Sequence, residues 1–255
     1  VKNTWLIYRK ELRSYFTSPI AYIILALYAL VFGVFFNFYL RGFQQYAMQA
    51  QMMGRSFPMN INEMIVRQVL MDTSVIGLFL IPMIAMRLFA EEKRSGTIEL
   101  LMTSPVRDIE VILGKWLAAM ALYAVILVVS SVNLTFLFIY GKPDWKPILV
   151  GYLGSLLQGG CLLAIGTFLS TLTRNQIIAG VSGFCVSLLL WLLNSFTAFE
   201  STPTSKVLGY LSVVGHFEPF TKGVLDSKDV IFFLSAIFLG LFLTARSMES
   251  LRWRA

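Results

Sequence analysis

Three stretches, residues 116–140, 148–172 and 177–198, carry no charged side chain, and each is long enough to cross a bilayer. About 20 apolar residues cover ~30 Å of hydrocarbon as a helix. Such a helix satisfies its own backbone hydrogen bonds where no water can. Runs of this kind confine the chain to one fold class, an all-α membrane protein. Residues 20–40 supply another span, opened by Ser18-Pro19, a capping residue with proline at the first helical position. Residues 230–245 are short but clean. Residues 69–88 are the weakest span, because Asp72 cuts into one end and Pro82 sits inside, while Arg87 is placed to snorkel at the other. Six spans result. Composition agrees, with 57% hydrophobic and 14% charged residues against the ~25% charged of ordinary soluble domains.

The polar stretch 91–115, EEKRSGTIELLMTSPVRDIEVILGK, interrupts these runs between spans two and three. Gly96-Thr97 reads as a helix break followed by a cap, and Ser104-Pro105 as a helix start. Asp108 and Glu110 then fall where carboxylates favour the positive end of the helix dipole. Val106, Ile109, Ile112, Leu113, Trp116 and Leu117 keep helical spacing, so the second helix runs into the third span. The expectation is two short helices, about 97–103 and 105 onward, forming an elbow that docks another protein. An ordinary solvated loop fits the same residues, and the residues alone do not separate the two readings.

Residues 3–17 place Trp5, Tyr8, Leu12 and Tyr15 on one helical face and Arg9, Lys10 and Arg13 toward the other, the pattern of a helix lying in the membrane interface. A plain juxtamembrane tail is the alternative. The amino-terminal apolar run is too long for the h-region of a cleavable signal peptide, and no small-residue cleavage site follows it. Residues 41–72 form a polar loop with six methionines, Met48, Met52, Met53, Met59, Met64 and Met71. Thioethers suit Cu(I), but no cysteine or histidine helps them, and adaptable packing on amphipathic helices is the preferred reading. In residues 199–229, the apolar run 207–215 is too short to cross and reads as a re-entrant or interfacial piece. Small residues recur every fourth position at Gly151, Ser155 and Gly159 and at Ala179, Gly183 and Ser187, a spacing that lets helices approach closely within one chain or across a dimer.

Thirteen basic residues fall on the side of both termini and eight on the other, which assigns the termini and the elbow to the cytoplasm by the positive-inside rule. The net charge of +7 is spread over loop ends, which suits lipid head groups better than nucleic acid. No phosphate-binding loop occurs. The lone histidine, His216, reads as a solvated loop residue, so no catalytic residue and no metal site is expected. Neither Cys161 nor Cys185 has a second thiol near it in sequence. Any work this chain does must be powered from outside itself.

Several motifs together resemble the permease subunits of ABC-2 type exporters. They are the basic interfacial helix with its S-P, the run E-E-K-R-S-G-T-I-E-L-L-M-T-S-P-V, the helix ending I-L-G-K, and H-F-E-P-F-T-K-G-V-L-D-S-K-D-V before the last span. The likeness covers essentially the whole chain as one transmembrane domain, 1–255, and is nearest to the branch of the gliding-motility and nitrous-oxide-reductase maturation permeases. The resemblance implies that the elbow is a coupling helix seated on a separate ATP-binding subunit. Matched by position, Glu91, Glu92, Gly96, Thr97, Glu99, Leu100 and Pro105 meet that subunit, with Arg9 and Lys10 of the interfacial helix beside them. It further implies short outer gate helices before span six, carrying Phe217, Glu218, Pro219, Phe220 and Gly223. ATP and magnesium would belong to the partner, leaving no cofactor in this chain. A second permease copy would complete the translocator in a bacterial inner membrane, with room for an outer-face accessory protein. The competing expectation is a non-transporting anchor that recruits a cytoplasmic partner through the same elbow.

Overall fold

A computed structural model of the chain describes residues 2–53, 60–103, 106–141, 143–197 and 203–252. Among these, every regular element is a helix. In order they are α1 (Lys2–Thr17), α2 (Pro19–Met52), a π-helical turn (Asn62–Val66), α3 (Arg67–Ala85), α4 (Ala90–Ser95), α5 (Thr97–Thr103), α6 (Asp108–Tyr140), α7 (Trp145–Leu172), α8 (Gln176–Thr197), α9 (Pro203–Tyr210), α10 (Val213–Thr221) and α11 (Ser227–Arg252). Six of the segments are long and apolar enough to cross a membrane. The protein is an all-α, multi-pass membrane protein.

Helix α7 is the hub. It packs against α3, α6, α8, α10 and α11, and its small residues receive their side chains. A Cβ at Gly151 would collide with Leu70 of α3, one at Gly159 with Tyr123 of α6, and one at Gly154 with Phe220 of α10. On α8, Gly183 faces Pro82 of α3. The stripes predicted from spacing thus serve packing inside one chain. Buried polar groups pin the register of the bundle. Tyr28 OH lies 3.5 Å from Thr73 Oγ1, Ser130 Oγ lies 2.8 Å from Tyr152 OH, and Gln158 Nε2 donates to Ser74 Oγ.

Four expectations change. First, residues 41–52 are not loop, because α2 continues unbroken to Met52. Gln, Ala and Met are good helix formers, and nothing there stops the helix. At ~1.5 Å per residue α2 is ~51 Å long and projects beyond the ~30 Å hydrocarbon layer. Met48, Met52 and Met53 are exposed on this projection, whereas Met64 and Met71 pack against the core; Met59 lies outside the described residues. Second, α6 begins at Asp108 rather than at residue 105. Arg107 is extended (φ −75°, ψ 139°) and its N–H donates to Glu110 Oε2 at 3.3 Å. Ser104 and Pro105 lie outside the described residues. Third, the elbow contains a helix that spacing did not suggest, α4, ahead of Gly96. Fourth, His216 is not solvated but buried, for reasons given below.

Candidate functional site

Two constellations remain once the packing is accounted for, one at each end of the bundle. The first lies where α1, α4, α5 and the start of α6 meet the ends of α3 and α7, called here the α1 face. Helix α3 stops at Ala85, and the chain turns through residues 86–89 before α4. Ser170 of α7 staples that turn. Its Oγ accepts the N–H groups of Phe89 and Ala90, both at 3.0 Å, and donates to the Met86 carbonyl at 3.2 Å. Lys93 Nζ donates to the Thr171 carbonyl. The turn is therefore fixed to the end of the hub helix.

Within the elbow, Glu91 and Glu92 open α4 and Lys93 and Arg94 close it, each sign at the dipole end it favours. Gly96 ends α4 in the left-handed region, φ 75°, a conformation that costs glycine nothing because it has no Cβ. Ser95 Oγ lies 2.9 Å from Thr97 Oγ1 across the corner. The two acidic residues face opposite ways. Glu91 pairs with Arg87 at 2.9 Å and is half exposed, whereas Glu92 turns inward. Lys115 of α6 lies 2.8 Å from Glu92 Oε1 and 3.1 Å from Glu11 Oε1 of α1, with its side chain only 3% exposed. Its ammonium also stands 5.4 Å from the centroid of the Phe89 ring. Helix α1 reaches α6 through Gly114, where a Cβ would lie 2.9 Å from Ile7 Cβ and 3.0 Å from the Thr4 carbonyl oxygen.

The result is a groove of about 490 Å³ lined by Lys10, Glu91, Glu92, Thr97, Leu100 and Lys115. Residues chosen from separate stretches of sequence are thus brought to one surface. Gly96, Glu99 and Leu100 are exposed on it, as are Arg9 and Lys10 of α1. Leu100 is 72% exposed, a large apolar side chain among charges. Pro105 lies outside the described residues. Spacing could not show the inward turn of Glu92 or the part played by Ser170, whose sequence neighbours are unremarkable.

The second constellation is the α9–α10 hairpin at the opposite end. Phe217 and Phe220 are fully buried, and α10 packs against α3, α7 and α8. Glu218 accepts from Arg67 Nη2 of α3 at 2.8 Å and lies 2.9 Å from Lys222 Nζ. The hydrogen bond from Lys222, with Arg67 beside it, holds the Glu218 carboxyl below the usual carboxylate range. Pro219 sits inside α10. Gly223, at φ 78°, turns the chain so closely on Pro147 that a Cβ would lie 2.8 Å from that proline's Cβ. His216 is 6% exposed. Its Nδ1 lies 2.6 Å from Asp229 Oδ1 of α11, its Nε2 lies 2.8 Å from the Tyr210 carbonyl, and its ring stacks on Phe232 at 3.9 Å. Both ring nitrogens face acceptor oxygens. Asp229 Oδ2 is buried with no hydrogen-bond partner among the described residues, so His216 is what holds this carboxyl group through its other oxygen. The sequence reading failed here because the partner lies 13 residues away on another helix. Among the described residues no group of three His, Cys, Asp or Glu could hold a metal ion.

With this geometry in view, a family model described as ABC-2 family transporter protein matches residues 5–244. No curated protein matches the chain.

Proposed function

Since the chain belongs to the ABC-2 transporter family, we propose that it is the membrane-spanning permease subunit of an ATP-driven exporter. The α1 face seats a separate ATP-binding subunit, which supplies the ATP and magnesium chemistry. This face is cytoplasmic, in keeping with the excess of basic residues on the side of both termini. Two copies of the chain form the pathway in a bacterial inner membrane, and the likeness to the gliding-motility and nitrous-oxide-reductase maturation permeases supports that branch.

The observation that carries this reading is the Glu92–Lys115–Glu11 cluster beneath the exposed α4–α5 corner. An exporter needs a stiff element that converts closure of its ATPase into movement of packed helices. Here α4 is tied to α6 and α1 through Lys115, and to α7 through Ser170 and Lys93. A push on Gly96, Thr97, Glu99 and Leu100 reaches three helices at once. Glu91, Arg9 and Lys10 add charge around the contact, and Glu92 acts from inside by holding the corner to the bundle. At the far end, Phe217, Glu218, Pro219, Phe220 and Gly223 belong to the hairpin that serves as the outer gate.

The test is co-purification in mild detergent with the ATP-binding subunit, using Leu100→Asp and the double variant Gly96→Pro/Thr97→Pro. Loss of the complex, with the permease still monodisperse, is the expected result. A complex unchanged in both variants removes the α4–α5 corner as the docking point.

A further inference from the structure

A groove of about 840 Å³ with an almost wholly apolar lining opens along α6 on the α1 face. Trp5 and Tyr8 of α1, stacked at 5.0 Å, stand at its mouth with Arg107 and Glu110, and its far end reaches Ala124. From Ile109 to Ala124 the helix rises ~22 Å. That is the head-group layer plus most of one ~15 Å hydrocarbon leaflet. The length and apolar lining of the groove match an acyl chain lying along α6. A second apolar groove, about 360 Å³, shares Ile109 and Leu113 with the first and is walled by Phe238 and Phe242 of α11. Two slots therefore flank one ridge of α6.

The charges at the mouth are unequal. Glu110 accepts a hydrogen bond from Asn3 Nδ2 at 3.0 Å. Arg107 is exposed, and among the described residues its guanidinium forms no ion pair. The one acid of α1, Glu11, is turned toward Lys115. Arg107 is the basic side chain that lines the mouth, and Trp5 and Tyr8 are residues that settle at head-group depth.

We propose that the two grooves hold the two acyl chains of one anionic phospholipid, with its phosphate against Arg107. The bound lipid fills the seam between α1, α6 and α11, so that α1 is held to the bundle partly through it. The site makes no demand on nucleotide or on the ATP-binding subunit, so it stands or falls separately from the transport reading.

The probes are dioleoyl phosphatidylglycerol and dioleoyl phosphatidylcholine, supplied in equal amounts to the purified full-length chain and counted as retained adducts by native mass spectrometry. The expected result is preferential retention of the glycerol lipid. Arg107→Gln lowers that preference about fivefold, the contribution of one basic residue at an anionic surface. Ala121→Phe, which fills the groove, removes adducts of both lipids; Ala121→Leu is the milder version should the first not fold. Arg13→Gln, on the other side of α1, leaves retention unchanged. Equal retention of the two lipids by the parent chain, or retention indifferent to both Arg107→Gln and the groove-filling change, overturns the proposal. So does efficient cross-linking between copies carrying Leu117→Cys in lipid nanodiscs, which would give the groove to a second copy of the chain.

Discussion

Lys115 Nζ lies 2.8 Å from Glu92 Oε1, joining the third membrane-crossing helix to the corner that interrupts the apolar runs before it. Glu11 completes the cluster from α1 at 3.1 Å. Three helices thus share one nearly buried ammonium, and removing it leaves two carboxylates facing each other. Lys115→Met is expected to destabilise the protein by about 3–5 kcal/mol, the usual cost of stripping one partner from a buried ion pair. Glu92→Gln, which leaves Glu11 in place, costs less. Thermal unfolding in detergent should rank the parent, Glu92→Gln and Lys115→Met in that order of falling midpoint. Equal midpoints would mean that the cluster holds nothing.

Gly96 is the only residue of α4 and its cap with positive φ. Alanine there meets no neighbouring atom, so its cost is conformational alone, about 1 kcal/mol. Asparagine tolerates the left-handed region better. Complex formation with the ATP-binding subunit should therefore weaken in Gly96→Ala and recover in Gly96→Asn. Failure of asparagine to recover it would show that the corner needs the absence of a side chain, not the backbone angle.

His216 and Asp229 tie α10 to α11 through a buried side-chain contact. Asp229→Asn removes the charge at nearly constant volume, and His216→Leu removes the ring nitrogens. Each alone should destabilise the hairpin by about 3 kcal/mol or more, since the other partner is left buried and unmatched. The double variant should cost less than the sum of the two. Limited proteolysis within residues 203–226 reads the effect, and additive losses would show that the two residues do not act as a pair.

Glu218 gives the hairpin an acid-sensitive tie to α3. Lys222, and then Arg67, hold its carboxyl below the ordinary range. A lowered folded-state value means that the stabilisation is fully present above the unfolded value, about 4.3, and disappears as the pH falls through the folded one. The difference in unfolding midpoint between the parent and Glu218→Gln should be present near pH 7 and vanish in stronger acid. A difference that does not shrink as the pH is lowered contradicts the assignment.

Much of this architecture was legible in the chain itself. The apolar runs set six spans because crossing hydrocarbon depends on local composition and length, and six segments long and apolar enough to cross are found. Gly96 announced its turn because only glycine enters the left-handed region freely, whereas Ser104-Pro105 pointed to a start for α6 three residues ahead of the observed Asp108. Residues 41–52 misled because glutamine and methionine are polar enough to suggest a loop yet good enough helix formers to carry α2 past the membrane.

What the tertiary structure alone decided is which groups meet. Lys115 finds Glu11 across 104 residues, and Arg67 finds Glu218 across 151. His216, the one histidine, becomes a buried partner of Asp229 only because α10 folds back onto α11. No local pattern encodes such pairs. Hydropathy fixes which segments leave water, but the partner of a charge depends on how the helices pack, and burial then makes that choice costly to undo.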